Sequence, residues 1–152
     1  MTEFPPVADL LPHAGPMRLV ECVLSHAGDE TRCRVDPAAS ALFRDAAGRI
    51  PAWVGIEYMA QCAAVHGGLL ARARGERPAP GLLLGSRSVS FGCDAFEPGV
   101  PLVVVARHVA GRSRTLAFAC AVESADGEPL VEGRLHVLAS PDAATPIGDG
   151  AP

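Results

Sequence analysis

"RIPAWVGIEYMAQCAAVHGG", residues 49 to 68, decides the architecture of this chain. Ile50, Trp53, Val54, Ile56, Met59, Cys62 and Val65 are apolar, and Ala60, Ala63, Ala64, Gly67 and Gly68 are small. A helix built from these residues has almost no polar face, so other elements must wrap it. Pro51 suits a helix start, because its missing N–H would be unpaired there in any case. Gly75 and Pro78 suit its end. The spacing predicts a helix over about 52–74. One residue disagrees with its surroundings. Glu57 stands in the middle, where an unpaired charge costs several kcal/mol.

The segments on either side can do the wrapping. RLVECVLSHAG (18–28) and ETRCRVD (30–36) meet at Gly28-Asp29 and read as a hairpin. VADLL (7–11) fits one helical turn, and residues 36–51 lack a strong period and read as a loop with one turn. After the helix come four strand-like runs, at 81–91, 100–110, 114–124 and 128–139. Pro98-Gly99, Gly111-Arg112 and Asp126-Gly127 separate them, and such short connections imply an antiparallel meander. The expected fold is α+β: a curved antiparallel sheet around one long central helix, the hotdog architecture, in a single domain over 1–139 with an irregular tail over 140–152. Side-by-side dimerisation would cover the edge strand that such a sheet leaves open.

Composition narrows the function. The chain has 152 residues, 49% apolar and 20% charged, which suits one globular domain. No run reaches the roughly 18 apolar residues of a membrane span, and MTEFPPVADLLP lacks the pattern of a signal peptide. A cytoplasmic location is therefore expected. A net charge of −4 argues against nucleic-acid binding by bulk charge. All 13 basic residues are arginine, so lysine Schiff-base chemistry is excluded. Five cysteines without a C-x-x-C pair suggest small core residues, with Cys62 also a candidate site-lining thiol. No metal-ligand spacing, G-x-S-x-G elbow or phosphate loop is present, and no metal or cofactor is expected.

Three motifs carry a resemblance. "LLPHAGPMRLVECVL" (10–24), "IEYMAQCAA" (56–64) and "GSRSVSFGCDAFEPGVPLVV" (85–104) resemble, in order, the entry strand, central helix and strand–turn–strand unit of bacterial 3-hydroxyacyl-[acyl-carrier-protein] dehydratases. The match is closer to the branch found in aryl polyene pigment clusters, through LPHxxPM, G-x-[IL]-P-x-W and G-x-L-L-G. The resemblance implies a lyase that removes water from a 3-hydroxyacyl thioester to give a trans-2-enoyl thioester. It also implies a substrate carried on the phosphopantetheine of an acyl carrier protein, and a homodimer or a heterodimer with another hotdog chain. Glu57 falls on the helix carboxyl that protonates the departing hydroxyl. Backbone N–H groups near the helix start, at Ala52 and Trp53, would hold the thioester carbonyl. Gln61, one turn on, would orient the carboxyl. The plain alternative for Glu57 is a surface glutamate, or one paired with Arg49 or Arg72.

The chain departs from the family at its histidine position, and the family's later P-G reads Pro51-Ala52 here. The usual catalytic histidine precedes the carboxyl by fourteen residues, and Phe43 stands there. His13, in the retained LPHxxPM motif, is the candidate replacement; otherwise it ties the N-terminal turn to the sheet. His66, nine residues after Glu57, reads as core or interface, and His26, His108 and His136 as ordinary strand residues. Arg87, Arg112 and Arg114 form a basic rim for the carrier protein, or else solvated strand-end charges. Two other functions remain open: a catalytically impaired subunit that pairs with a second dehydratase chain, and a hotdog acyl thioesterase.

Overall fold

A computed structural model describes residues 3–12, 15–78, 81–111 and 114–139. Strands β1 (Cys22–Ala27) and β2 (Glu30–Val35) form the expected hairpin, and a seven-residue 3-10 segment, Pro37–Phe43, follows. Its start is fixed by the Asp36 carboxylate, which accepts from the Ala38 N–H at 2.9 Å. The short β3 (Ile50–Pro51) leads into α1 (Val54–Ala73). Then come β4 (Gly81–Phe91), the short β5 (Ala95–Phe96), β6 (Leu102–Ala110), β7 (Thr115–Glu123) and β8 (Pro129–Ala139).

The six long strands make one antiparallel sheet in the order β1-β2-β6-β7-β8-β4. This corrects the expected meander. Only β6-β7-β8 run consecutively, while β4 crosses to the far edge beside β8 and β2 takes its place beside β6. The crossing is made by residues 92–101, which pause to pair β5 with β3 (Ile50↔Phe96, Pro51↔Ala95). That bridge also explains why the helix starts two residues later than expected. Pro51 and Ala52 are held in it, with Ala52 N–H donating to the Asp94 carbonyl at 2.9 Å. At the other end, Gly75 takes φ +73 and the Glu76 N–H reaches back to the Ala71 carbonyl at 2.8 Å, the left-handed stop that glycine permits.

The helix lies in the hollow of the sheet. Val54, Tyr58, Cys62 and Val65 are fully buried against Cys33, Val104, Val122 and Val131. Tyr58 keeps its hydroxyl satisfied on Ser40 at 2.7 Å. Three cysteines (Cys33, Cys62, Cys120) are buried as expected, but Cys22 is exposed and Cys93 only half-buried. No helix among the described residues is long and apolar enough to cross a membrane. The expected tail over 140–152 lies outside the described residues.

Two adjacent glycines separate close packing from open space. A Cβ at Gly68 would lie 2.8 Å from the Leu10 carbonyl oxygen, whereas one at Gly67 would meet nothing within 4 Å. Gly68→Ala should therefore cost about 1–3 kcal/mol in urea denaturation, because backbone must move. Gly67→Ala should be neutral or stabilising by up to about 1 kcal/mol through helix propensity.

Candidate active site

Glu57 sits in the first turn of α1, half-buried, and lines a cavity of about 140 Å³. Ala60, Ala64 and Gly67 continue the same wall. They follow Glu57 at +3, +7 and +10, which puts all four on one helix stripe. Leu83 of β4, Leu116 and Phe118 of β7 and Val137 of β8 face them across the cavity. The lining is mostly apolar, and Glu57 is its carboxylate.

Gln61 holds that carboxylate. Its side chain is completely buried, and its NH2 group donates to Glu57 Oε1 at 3.1 Å and to the Met17 carbonyl at 2.7 Å. Its carbonyl oxygen accepts from the Leu19 N–H at 2.9 Å and the Val20 N–H at 3.3 Å. The neighbourhood expected from the i, i+4 spacing is thus seen as a contact. The sequence gives no sign of the other half, in which the same amide fastens residues 17–20 to the helix.

The carbonyl-binding expectation narrows. The Ala52 N–H is already committed to Asp94, which leaves Trp53, the residue at the N-cap of α1. Trp53 is 57% exposed, and its indole meets the Phe43 ring edge-on with centroids 5.9 Å apart. Where the resemblance places a histidine, then, an aromatic pair flanks the helix start. His13 and Arg112 lie outside the described residues. Arg87 and Arg114 are both exposed but not gathered into a rim. Arg87 lies mid-strand in register with Arg134, on the side away from buried Leu135. Arg114 just precedes Thr115, which aligns through Leu138 with Leu82, five residues or roughly 16 Å of strand from Arg87. Arg49 turns to Asp45 at 3.9 Å.

The remaining histidines gather elsewhere. His66, nine residues after Glu57, points to the opposite side of the helix by its 100° per residue. The Thr31 hydroxyl bridges His66 Nδ1 and His26 Nδ1, each at 2.8 Å. The His66 ring lies 5.7 Å from Phe118, and His108 lies 5.4 Å from the same phenyl. Cys62 also faces the sheet, with Sγ against the carbonyls of Thr31 (3.4 Å) and Val104 (3.5 Å), so it does not line the cavity. Burial pushes its thiol well above the ordinary range. Among the described residues no group of three His, Cys, Asp or Glu side chains is placed to hold a metal ion.

Burial pulls the His66 imidazole down to about 4 from 6.5, helped by His26 and His108 and opposed by Asp29. Between those values the unfolded chain binds the extra proton and the folded chain does not. Stability from a neutral His66 is therefore complete above pH 6.5 and is lost as pH falls toward 4. In thermal melts from pH 7.5 to 4.5, His66→Phe should start less stable than wild type, and the gap should narrow on acidification. A gap that stays constant would contradict the buried neutral ring.

Comparisons with known proteins bear on the family and the fold. The ApeP-like family, described as ApeP dehydratase, matches residues 5–147. A search of curated proteins found no match. Among solved structures, the dehydratase heterocomplex ApeI:P from Xenorhabdus doucetiae aligns at TM-score 0.86 and 30% identity, over 91% of this chain and 93% of that one. A hypothetical thioesterase with coenzyme A from Streptococcus pneumoniae TIGR4 aligns at TM-score 0.60 and 12% identity, over 78% and 84%. A mutant thioesterase from Staphylococcus aureus subsp. aureus Mu50 aligns at TM-score 0.60 and 9% identity, over 78% and 92%. At such identities these last two show the fold alone, which is the hotdog fold.

Proposed function

The chain belongs to the ApeP-like dehydratase family, the aryl polyene type of hotdog dehydratase, and from that premise we propose that it dehydrates 3-hydroxyacyl thioesters carried on an acyl carrier protein. One observation supports this above the others: a carboxyl, Glu57, is held by a buried amide at the polar end of an apolar cavity. In the reaction the C2 proton is removed and the C3 hydroxyl leaves as water with one added proton. The C2–H electrons become the C2=C3 double bond. Glu57 protonates the hydroxyl, and either the same carboxyl or a histidine takes the C2 proton. His13 is the candidate histidine from this chain. The Trp53 N–H, at the positive end of α1, would carry the charge that develops on the thioester oxygen. The substrate reaches the site on phosphopantetheine, and no other cofactor is required.

Glu57→Gln should lower kcat about 10²–10⁴-fold on 3-hydroxyacyl carrier-protein thioesters, read as enoyl formation, with the melting temperature little changed. Equal rates would remove Glu57 from the chemistry. Release of free thiol without enoyl product would identify a thioesterase instead.

A second reading is favoured by Phe43. With an aromatic ring at the family's histidine position, the chain would be the partner of a second hotdog subunit that brings the missing histidine. The ApeI:P relative was solved as a heterocomplex. In this chain β4 forms one edge of the sheet, with Leu83, Leu84 and Phe91 38%, 53% and 47% exposed. Pairing along that edge would cover them. Co-expression with a second dehydratase-like hotdog chain should give a complex whose mass, by size exclusion with light scattering, is the sum of the two. Full activity of the isolated chain would argue against this reading.

A further inference from the structure

Resting on the proposal that this chain takes carrier-bound acyl thioesters, we infer that Trp53 and Phe43 form an aromatic ledge on which the pantetheine arm of the substrate lies. The direction of the substrate follows from two groups. The Trp53 N–H is the one left at the helix start for the C1 carbonyl, because the Ala52 N–H is committed to Asp94. Glu57, four residues or about 6 Å further along α1, is the carboxyl that meets the C3 hydroxyl. An acyl chain laid from C1 to C3 therefore points from residue 53 toward residue 57, and beyond C3 it continues past Ala60 and Ala64 into the apolar cavity. The sulfur, with the pantetheine attached to it, leaves the other way, past residue 53.

What stands there is aromatic. Trp53 has helical backbone angles (φ −63, ψ −22), so its side chain starts the stripe of Glu57 one turn earlier. It lies outside the lining of the cavity and is 57% exposed. Phe43 meets it at 85° with centroids 5.9 Å apart, from the end of the 3-10 segment. That segment is anchored to the same helix. Ser40, completely buried, shares a 2.7 Å hydrogen bond with the Tyr58 hydroxyl, which keeps Phe43 beside the helix start. Leu42, next to it, adds apolar surface that is 62% exposed. A pantetheine arm suits such a ledge, since its methyl groups gain from apolar contact and its amide N–H groups from ring faces. The position that the resembled family gives to a base is turned here to binding.

The chain has one tryptophan, so its emission reports this ledge alone. The probe is the amide analogue of 3-hydroxybutanoyl-pantetheine, with nitrogen in place of the thioester sulfur, titrated into the full chain by calorimetry and by acrylamide quenching. Binding should blue-shift the Trp53 emission and shield it from acrylamide. Free 3-hydroxyoctanoate, which has a tail and no arm, should leave the indole as open as before. Phe43→Ala and Trp53→Ala should each weaken the analogue about five- to tenfold, and Phe43→Tyr and Trp53→Phe, which keep a ring, should hold affinity within about twofold. Trp53→Ala, at an exposed position, keeps the test informative if Phe43→Ala does not fold. The shielding should persist in Glu57→Gln, so its failure is distinct from failure of the catalytic reading, which enoyl formation decides. An analogue that does not bind, or that binds with the indole still open to acrylamide, would overturn the inference. So would shielding by the free hydroxy acid, or an affinity that Trp53→Ala leaves unchanged. Shielding that rises with protein concentration alone, together with a doubled mass, would assign the aromatic pair to a second copy and overturn it as well.

Discussion

Gln61 exposes none of its hydrogen-bonding capacity. Both amide hydrogens and both carbonyl lone pairs are used, on Glu57, Met17, Leu19 and Val20. The consequences spread in two directions. Toward the N-terminus, the amide satisfies three backbone groups of a segment that has no sheet partner to do so. Toward the site, it fixes one oxygen of the Glu57 carboxyl. A glutamate in its place would lose the two donors and set a second negative charge beside the first. A leucine would leave three backbone groups unsatisfied, at about 1–3 kcal/mol each. The position and orientation of the carboxyl therefore depend on the same contact that docks the N-terminal segment.

Side-chain size along α1 does the rest. A helix rich in alanine and glycine buries little area per residue, so its packing depends on how closely it approaches its neighbours. At Gly55 an added Cβ would lie 3.3 Å from Phe96 and Val131, and at Gly68 it would press on the Leu10 carbonyl. These two contacts draw both ends of the helix tight. Between them Ala60, Ala64 and Gly67 face the cavity rather than a packed wall. One compositional habit thus gives close packing where the backbone is pulled in and empty space where it is not.

Much of this was legible in the residues. Alternation and turn chemistry locate β2, β4, β6, β7 and β8 to within two residues and the end of β1 to within one, though β1 starts four residues later than expected, and the small-residue pattern locates α1, because those signals are local. The place of β4 in the sheet is not local. Nothing in GLLLGSRSVSF says that its partner is the last strand, and the two-residue β3–β5 bridge that carries the chain across is too short to show a period. Next to that bridge the Ala52 N–H is taken by the Asp94 carbonyl, although the resemblance had assigned it to the thioester carbonyl. Glu57 stands out as a charge in an apolar helix and Gln61 as its i+4 neighbour. That Gln61 also reaches residues 17–20 is a contact across more than 40 positions, beyond the reach of any helical rule. His66 is readable as core from its half-turn offset, but the hydroxyl bridge through Thr31 is not.

The two edges of the sheet are unequal, and that asymmetry bears on how the site is completed. β1 is short, with an irregular register between Val23 and Ser25 that blunts its outer edge. β4 is nearly twice as long and exposes Leu83, Leu84 and Phe91. It is also the strand whose Leu83 lines the cavity. A chain that paired along β4 would therefore lie against the opening of the site, whereas one that paired along β1 would be separated from it by the rest of the sheet. Phe43 gives the same geometry a chemical reason. Its ring has no proton to exchange, so under the proposed dehydration the C2 proton would pass to Glu57 itself, to His13 of this chain or to a residue brought by a partner along β4. In each case the carboxyl held by Gln61 would be this chain's own contribution to the proposed reaction.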